Sequence, residues 1–444
     1  MRRITVVNRS QDIVTCRAEL ASAKGAGFEY YTVLPNDTET LELPSFRAGL
    51  VLAPQSLAEK AALLDEREVA APDGFTIRVP LSFGALWKAV PVAEECPWLV
   101  YRVKVTKRHH QLLIIPRRDT NSFLSQIPDS VPLSCVTLPG THDTMAFYGW
   151  PISQCQSFDT PLATQLASGI RVLDIRLAVI KDRLIAYHGL YPQRMPFQEI
   201  LTIIHAFLTA NKTKHETVVM SIKQEDFRTV SGMLFSKLVH DEIINGPGGR
   251  DMWFLDNRIP LLGEVRGKII MFSRFGGDGE GWDDGREGIG IHPTAWPDSE
   301  RRGFTWDCKN TVVRTHDWYN IPSFLSIPEK TQLSTQILLP PAADPPTPSL
   351  AITFFSAASS LAFPPIVARG FGWPKFGLGV EGVNARVARW LMSMLCEADA
   401  AGALQEPRIR GWTLADFYAD PEPALVPLLV ECNFRGRVHG EEGW

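Results

Sequence analysis

The sequence lacks the features that mark several common classes of protein. Its seven cysteines include no C-x-x-C pair, so neither a zinc site nor a disulfide framework is indicated. It has no run of about 18 uninterrupted apolar residues, the length that a transmembrane helix requires. The formal net charge is −4, without the basic surplus of a dedicated nucleic-acid-binding domain. We therefore expect neither a membrane-spanning segment nor a nucleic-acid partner.

The N-terminal stretch "MRRITVVNRSQDIVTCRAEL" also lacks a targeting segment. Two arginines precede only a brief apolar run that ends at Asn8, which is too short for a signal peptide. A cytoplasmic, reducing environment is the expectation, although a missing signal does not by itself exclude secretion.

The chain does have the composition and length of a folded protein with more than one domain. It contains 444 residues, of which 45% are hydrophobic and 21% are charged. This length exceeds one average domain, and it favours two domains, one of them large.

Residues 1–118 carry short runs with the β-branched and aromatic content of strands, including "ITVV", "WLVYRVKV" and "QLLIIP". They predict a small all-β, sandwich-like N-terminal domain. The segment "SLAEKAALLDEREV", residues 56–69, predicts one short helix. The polar run at 119–132 is interpreted as a linker to a second domain at 133–444.

The second domain alternates strand-like and helix-like segments. "LSCVTLPG", "RVLDIRLAVI", "ETVVMSIKQE" and "GKIIMFSRFG" have the character of strands, whereas "PFQEILTIIHAFLTAN" has apolar residues at helical spacing. Such alternation implies parallel βαβ units, and seven or eight of them predict an irregular α/β barrel of the TIM type.

Polar residues at the strand ends are the candidate site, because TIM-type barrels carry their sites at the carboxyl ends of the strands. Such a set suits an anionic phosphate held between a base and an acid. Structural alternatives remain open for single members: a turn cap for His142, a core histidine for His188, and a structural ion pair for Asp174 and Arg176. The candidates are His142, Asp143, Asp174, Arg176, His188, Lys223, Glu225, Arg274, Asp317, Tyr319 and Asp416.

The ordered motifs "PGTHD", "LDIRL", "YHG", "SIKQE" and "HDWY" resemble the X domain of phosphatidylinositol-specific phospholipase C, in its bacterial, single-barrel form. The resemblance extends from Leu133 to about Phe434 and leaves out the N-terminal segment. It implies a phosphoric diester hydrolase or phosphorus–oxygen lyase that releases diacylglycerol and a cyclic inositol phosphate.

The resemblance also implies a role for each matching residue. His142 resembles the general base and His188 the general acid, supported by Asp416 and Asp143, respectively. Asp174 lies with Arg176 on the catalytic strand. The inositol-binding positions are matched by Lys223, Arg274, Asp317 and Tyr319.

Arg176 indicates the subclass within this family. Animal members have an acidic calcium ligand at this position, whereas a guanidinium repels calcium and can itself donate hydrogen bonds to phosphate. We therefore predict metal-independent catalysis and no cofactor.

The implied partner is phosphatidylinositol or a related lipid at a membrane surface, with free lipid and glycosyl anchors left open as substrates. Aromatic side chains favour the membrane interface. We expect Tyr148, Trp150 and Trp373, in loops placed on the barrel rim, to contact the membrane.

Two other functions remain open at this stage. One is another phosphodiesterase barrel, like the glycerophosphodiesterases, which needs acidic metal ligands where this chain has Asp174 and Arg176. The other is a catalytically silent lipid-binding module. Protein partners and the role of the first domain are not indicated by the sequence.

Overall fold

A computed structural model gives the fold. It describes residues 2–22, 25–43, 49–54, 77–79, 85–226, 228–276, 282, 288–341, 348–374, 378–397, 406, 408–437, 440 and 442–444. The helix predicted at 56–69 lies outside the described residues. The chain divides into two compact units: residues 1–118, 373–378 and 388–406 form the first, and residues 119–372, 379–387 and 407–444 form the second.

The first unit contains two sheets of mostly antiparallel strands, in the orders β4-β1-β9-β8-β7 and β3-β2-β5-β6. Apolar side chains from both sheets, including Ile4, Leu112, Cys16 and Leu52, form one buried cluster. The strands are β1 (Arg2–Asn8), β2 (Val14–Ser22), β3 (Gly25–Val33), β4 (Thr38–Leu43), β5 (Gly49–Pro54), β6 (Ile77–Val79), β7 (Trp87–Val90), β8 (Trp98–Lys104) and β9 (His109–Pro116).

The second unit begins earlier than the sequence interpretation placed it. The segment interpreted as a linker contains a 3-10 helix, Thr120–Gln126, capped by the Asp119 carboxylate. Phe123 and Leu124 of this helix are fully buried. Two apolar side chains within a polar run are thus enough to fix the segment to the second unit, because their burial favours packing.

The second unit contains the remaining strands. They are β10 (Gly140–Thr141), β11 (Val172–Ile180), β12 (Arg183–His188), β13 (Tyr191–Pro196), β14 (Val218–Gln224), β15 (Trp253–Phe254), β16 (Ile269–Arg274), β17 (Phe304–Cys308), β18 (Thr311–His316), β19 (Ser349–Phe354), β20 (Gly370–Trp373), β21 (Leu378–Glu381) and β22 (Trp412–Leu414), with Trp373 and Leu378 belonging to the first unit.

Helices follow most of the predicted strands. Helix α2 buries Ile200, Leu201 and Ile204 on one face, as its apolar spacing predicts. The 3-10 helices described besides Thr120–Gln126 are Leu133–Cys135, Gly249–Met252, Leu262–Glu264 and Phe324–Ser326. The α-helices are α1 (Leu162–Ala167), α2 (Phe197–Thr209), α3 (Gly232–Asn245), α4 (Ile327–Gln336), α5 (Pro364–Arg369), α6 (Val383–Cys396) and α7 (Leu425–Cys432). None of the described helices is long and apolar enough to span a bilayer.

Parallel strands of the second unit form one continuous sheet, in the order β16-β14-β11-β10-β22-β19-β18. Isolated bridges from Leu138 to Trp412 and from Thr141 to Ala415 join β10 to β22. Arg274 at one end of this order and Asp317 just after the strand at the other end line the same cavity, so the sheet curls round into an irregular (β/α) barrel.

One predicted strand departs from the parallel pattern. "RLIAYHG" forms β12, but β12 pairs antiparallel with β11 and with β13. Only the turn residues Lys181 and Asp182 separate β11 from β12, and a connection this short joins antiparallel neighbours, not parallel ones. The segment is therefore a hairpin and not a βαβ unit.

Candidate active site

Strand β11 places a carboxylate and a guanidinium on the same face of the barrel sheet. Asp174 and Arg176 are two residues apart, so their side chains point the same way, and they lie opposite Ser221 and Lys223 of β14. The Asp174 side chain is fully buried, whereas 13% of the Arg176 side chain remains exposed. The arginine therefore reaches the cavity, and the aspartate lies beneath it.

The hairpin explains how His188 arrives beside these residues. Strand β11 continues past its contact with β14, turns, and returns as β12, with Leu177 opposite Ala186. His188 lies two residues after Ala186, at the end of β12, and the hairpin thereby returns it to the carboxyl end of the parallel strands. The carboxyl-end rule thus selected a residue that lines the cavity, although its strand runs antiparallel to β11.

His142 forms a dyad with Asp416. The two residues follow the neighbouring strands β10 and β22, and Nδ1 of His142 lies 2.8 Å from Oδ1 of Asp416. Burial alone would lower the pKa of His142, but the Asp416 carboxylate outweighs this effect and the pKa is raised. A histidine held by a carboxylate has a fixed tautomer and a more basic outer nitrogen.

His188 has a carboxylate at the same nitrogen. Its Nδ1 lies 3.3 Å from Oδ2 of Asp143 and 2.7 Å from the carbonyl oxygen of Ser153. Asp143 adopts a positive φ of 43°, a conformation rare outside glycine. With this backbone conformation, the side chain of Asp143 lies beside His188. Burial raises the pKa of Asp143, against the opposing attraction of His188 and Arg176.

Arg176 lies between the two dyads. Its Nη2 lies 2.8 Å from Nε2 of His142, and its Nε lies 3.1 Å from Asp174 and 3.4 Å from Asp143. Its Nη1 lies 3.3 Å from Glu225. Burial alone would lower the pKa of Arg176, but the surrounding carboxylates outweigh it and hold the pKa above the usual value. The guanidinium is therefore charged at every working pH.

The remaining predicted residues that line the cavity are Lys223, Arg274, Asp317 and Tyr319, which together are called the far wall of the cavity. Lys223 contacts Glu225 at 3.4 Å, and the charge of Arg176, followed by burial, lowers the pKa of this lysine. Arg274 lies 3.7 Å from Asp174 and 3.9 Å from Asp317.

Tyr319 donates a hydrogen bond to Asp298, which raises the pKa of the tyrosine to about 12. This phenol therefore stays protonated near neutral pH, with its proton donated to Asp298 and its oxygen able to accept a hydrogen bond.

All of these side chains meet at one cavity of about 670 Å³. Asp143, Asp174 and Glu225 are not part of its lining and contact the residues that are. The predicted residues that line it are His142, Arg176, His188, Lys223, Arg274, Asp317, Tyr319 and Asp416.

Sequence reasoning missed Trp296, which also lines the cavity. Its indole nitrogen donates to Asp317 at 2.9 Å, and its ring lies 4.0 Å below the Arg274 guanidinium. The residue lies in the irregular segment "HPTAWPDSE" instead of at a strand end, so the barrel rule gave no signal for it.

The three predicted membrane-contact residues differ in exposure. Trp150 is 63% exposed and Trp373 is 70% exposed, and Trp373 belongs to the first compact unit. Tyr148 is only half-exposed, because its ring packs against Phe158 and beneath the Arg194 guanidinium at 4.2 Å.

Residues 130–275 match the family described as "Phosphatidylinositol-specific phospholipase C, X domain". This stretch is thus similar to the X domain of that family. His142, Arg176, His188, Lys223 and Arg274 all lie within the matched residues, whereas Asp317, Tyr319 and Asp416 lie beyond them in the same barrel.

Two similar curated proteins are bacterial. The chain is 33% identical over 168 residues to a 1-phosphatidylinositol phosphodiesterase of Listeria monocytogenes, covering 35% of this chain and 49% of the relative. It is 28% identical over 166 residues to the protein of the same name from Staphylococcus aureus, covering 36% and 53%. The chain thus spans about half the length of the curated relatives that it matches.

The barrel that contains the matched residues also resembles solved structures. A phosphatidylinositol-specific phospholipase C from S. aureus superposes with a TM-score of 0.54 at 20% identity, covering 71% of this chain and 98% of that one. At this identity the likeness concerns the fold, and the second unit shares the TIM-barrel-like α/β fold of that enzyme.

Proposed function

We propose that this protein is a phosphatidylinositol-specific phospholipase C that uses two histidines as general base and general acid. The observation that carries the proposal is the pair of imidazoles, His142 and His188, with ring centroids 6.3 Å apart. Each has a carboxylate at Nδ1, and the Arg176 guanidinium lies between them. This is an acid, a base and a phosphate-binding cation on one cavity.

The reaction follows from the tautomers. Because Nδ1 of His142 donates to Asp416, its Nε2 carries the lone pair. Once phosphate draws Arg176 away from Nε2, this nitrogen accepts the proton of the inositol 2-hydroxyl, and that oxygen attacks phosphorus. His188, protonated and facing the cavity through Nε2, donates its proton to the departing diacylglycerol oxygen. The P–O bond to diacylglycerol breaks as the ring P–O bond forms, which yields a cyclic inositol phosphate.

Arg176 is proposed to carry the phosphate charge without a metal ion. Three carboxylates keep it charged, and its Nη2 is directed at the atom that takes part in proton transfer. A planar guanidinium can donate two parallel hydrogen bonds to phosphate oxygens, which a point charge cannot.

The far wall is proposed to hold the inositol ring. Lys223 and Arg274 present donors to the cavity and Asp317 and Tyr319 present acceptor oxygens, and these suit the hydroxyls of a sugar-like ring. Trp296 adds an apolar ring face beside Arg274.

We further infer that the protein binds the membrane peripherally. The exposed side chains of Trp150 and Ile152 lie on a loop of the X domain, and Ile152 also lines the cavity. A partly apolar loop at the site entrance suits a lipid substrate. The S. aureus relative has been studied for its membrane binding. Trp373 is proposed as a second, separate contact.

Residues 1–118 are inferred to form a separate, sandwich-like all-β domain. The two sheets share one buried cluster, as packed sheets do, and this cluster is made of first-unit residues.

Headgroup release from defined phosphatidylinositol vesicles tests the proposal. We expect release of a cyclic inositol phosphate by the purified chain and loss of that release in His142→Ala. A chain that binds these vesicles but releases no inositol phosphate would instead be a silent lipid-binding module. Release only of glycerol-linked products, dependent on added metal, would indicate a glycerophosphodiesterase.

A further inference from the structure

Three potential ligand atoms converge at the inner side of His188, and the other two residues, Asp143 and Cys155, are buried. The atoms are Oδ2 of Asp143, Sγ of Cys155 and Nδ1 of His188, all within 4.8 Å of one another. The nitrogen lies 3.3 Å from the carboxylate oxygen and 3.7 Å from the sulfur. Zinc bonds of about 2.0–2.3 Å place tetrahedral ligand atoms about 3.3–3.7 Å apart, so the two spacings at Nδ1 of His188 match those of a tetrahedral site.

The cluster also contains an unsatisfied acceptor. Asp143 is 1% exposed, yet among the described residues its Oδ2 accepts no hydrogen bond. Its charged neighbours, His188 and Arg176, are 3.3 and 3.4 Å away and are not aligned as donors. Buried carboxylate oxygens are rarely left in this state without an ion or a ligand that approaches them.

We propose that Asp143, Cys155 and His188 form an inhibitory site for a thiophilic divalent cation such as zinc. On binding, the S–H bond of Cys155 breaks, a cation–sulfur bond forms, and the thiol proton leaves to solvent. Neutral His188 binds through Nδ1, and the fourth position remains open for water.

The charge balance favours a soft cation over a hard one at this position. The carboxylate and the new thiolate together carry two negative charges, which neutralise the two positive charges of the ion. With neutral His188, the net charge of the ligands and the ion changes from −1 to zero on binding, and the Asp174 and Glu225 carboxylates continue to offset the charge of Arg176. Calcium and magnesium prefer oxygen ligands and would leave the thiol protonated, so they gain little here.

Inhibition follows from the nitrogen that the cation takes. His188 must be protonated to act as an acid, and a cation at Nδ1 takes the place of that proton. The remaining Nε2–H of a metal-bound imidazole is a far weaker acid than an imidazolium, so the leaving oxygen is not protonated. This inhibitory effect rests on the proposed function, whereas binding of the cation does not.

Cobalt titration of the full-length protein tests binding without reference to activity. We expect Co²⁺ to produce a near-ultraviolet thiolate-to-cobalt absorption band, with release of one thiol proton, and Zn²⁺ to abolish the band by displacement. Cys155→Ser should lose the band. Cys432→Ser is the matched control, because Cys432 is equally buried but lies in α7, bonded to the Leu428 carbonyl, and it should keep the band.

A second variant guards against misfolding of the first. Asp143→Asn leaves every thiol in place but removes one anionic ligand, so the cobalt band should require a higher Co²⁺ concentration. No band in the wild-type protein, or a band that persists in Cys155→Ser, overturns the proposed site.

The activity measurement is separate. Zn²⁺ should inhibit headgroup release by the wild-type protein and by Cys432→Ser, but not by Cys155→Ser, and Ca²⁺ should not inhibit any of them. A cobalt band with undiminished activity at saturating Zn²⁺ overturns the inhibitory role. If the wild type shows a cobalt band but releases no headgroup, the proposed function fails and the cation site stands.

Discussion

Nη2 of Arg176 donates a hydrogen bond to Nε2 of His142 at 2.8 Å. A guanidinium cannot accept, so Nε2 carries the lone pair and Nδ1 carries the proton that is directed at Asp416. In the proposed reaction, the arginine thus occupies the atom that takes the substrate proton. A phosphate that draws Arg176 toward its own oxygens would release the base at the moment of binding.

This relationship predicts opposite pKa changes in two variants. Arg176 lowers and Asp416 raises the pKa of His142. Arg176→Gln should therefore move the His142 titration to higher pH, and Asp416→Asn should move it to lower pH. Because the base works in its neutral form, the acid limb of the kcat/KM profile should shift in the same directions. Histidine NMR titration, with His142→Ala to assign the resonance, measures the shifts. Equal pKa values in both variants would contradict the dyad.

The two histidine variants should separate by leaving group. Removing a general acid or base costs about 10²–10⁴ in rate. With a phenolic leaving group that departs without a proton, His188→Ala should recover much of its loss, whereas His142→Ala should not. Paired assays on lipid and on an inositol nitrophenyl phosphate measure this. Equal recovery by both variants would argue against the assigned roles.

Arg176→Lys should retain the charge but lose the planar pair of donors. A loss of about 10²–10³ in kcat is expected for one such group.

Wild-type activity should be unchanged by a calcium chelator. Activity that vanishes with the chelator and returns with calcium would refute the metal-independent reaction.

Asp174 should matter for stability as well as for catalysis. Burial alone would raise the pKa of Asp174, but Arg176 and Arg274 outweigh it and hold the pKa far below its usual range. Asp174→Asn leaves both guanidiniums without their shared carboxylate, which should lower the free energy of unfolding by about 3–5 kcal/mol at neutral pH. Urea denaturation measures it.

The pH dependence of that difference has a defined sign. A depressed folded-state pKa stabilises the protein above the unfolded-state pKa of the carboxyl group, about 3.9, and the contribution is lost as pH falls through the folded-state value. The gap between wild type and Asp174→Asn should therefore be largest near neutral pH and shrink in acid. A gap that is independent of pH would exclude the ionised form as its source.

Trp150 and Trp373 should contribute to vesicle binding. Each exposed indole that enters the interface buries apolar area, so Trp150→Ala and Trp373→Ala should both weaken binding to phosphatidylinositol vesicles. Hydrolysis of a water-soluble headgroup substrate should be unaffected, and Trp→Phe at either position should restore most of the binding. Unchanged vesicle partitioning in the double variant would reject the contact.

Much of the site could be predicted because barrel chemistry follows strand order. His142, Arg176, Lys223 and Arg274 each lie at or just after the end of a parallel strand, and the alternation of strands and helices is visible in the apolar spacing. His188 was found by the same rule, although its strand runs the other way. Trp296 could not be found, because its segment has neither a strand nor a periodic pattern to place it.

The sequence by itself determined the alternating elements, the order of the motifs that resemble the X domain family, and the residue types available for phosphate chemistry. These depend on local periodicity and on residues close along the chain. Only the tertiary structure decided which carboxylate serves which histidine, since Asp416 meets His142 across 274 positions of sequence through the pairing of β10 with β22. It also decided that Cys155 lies beside His188. The loop that carries Cys155 and the hairpin that carries His188 have no periodic sequence pattern from which this contact could be predicted.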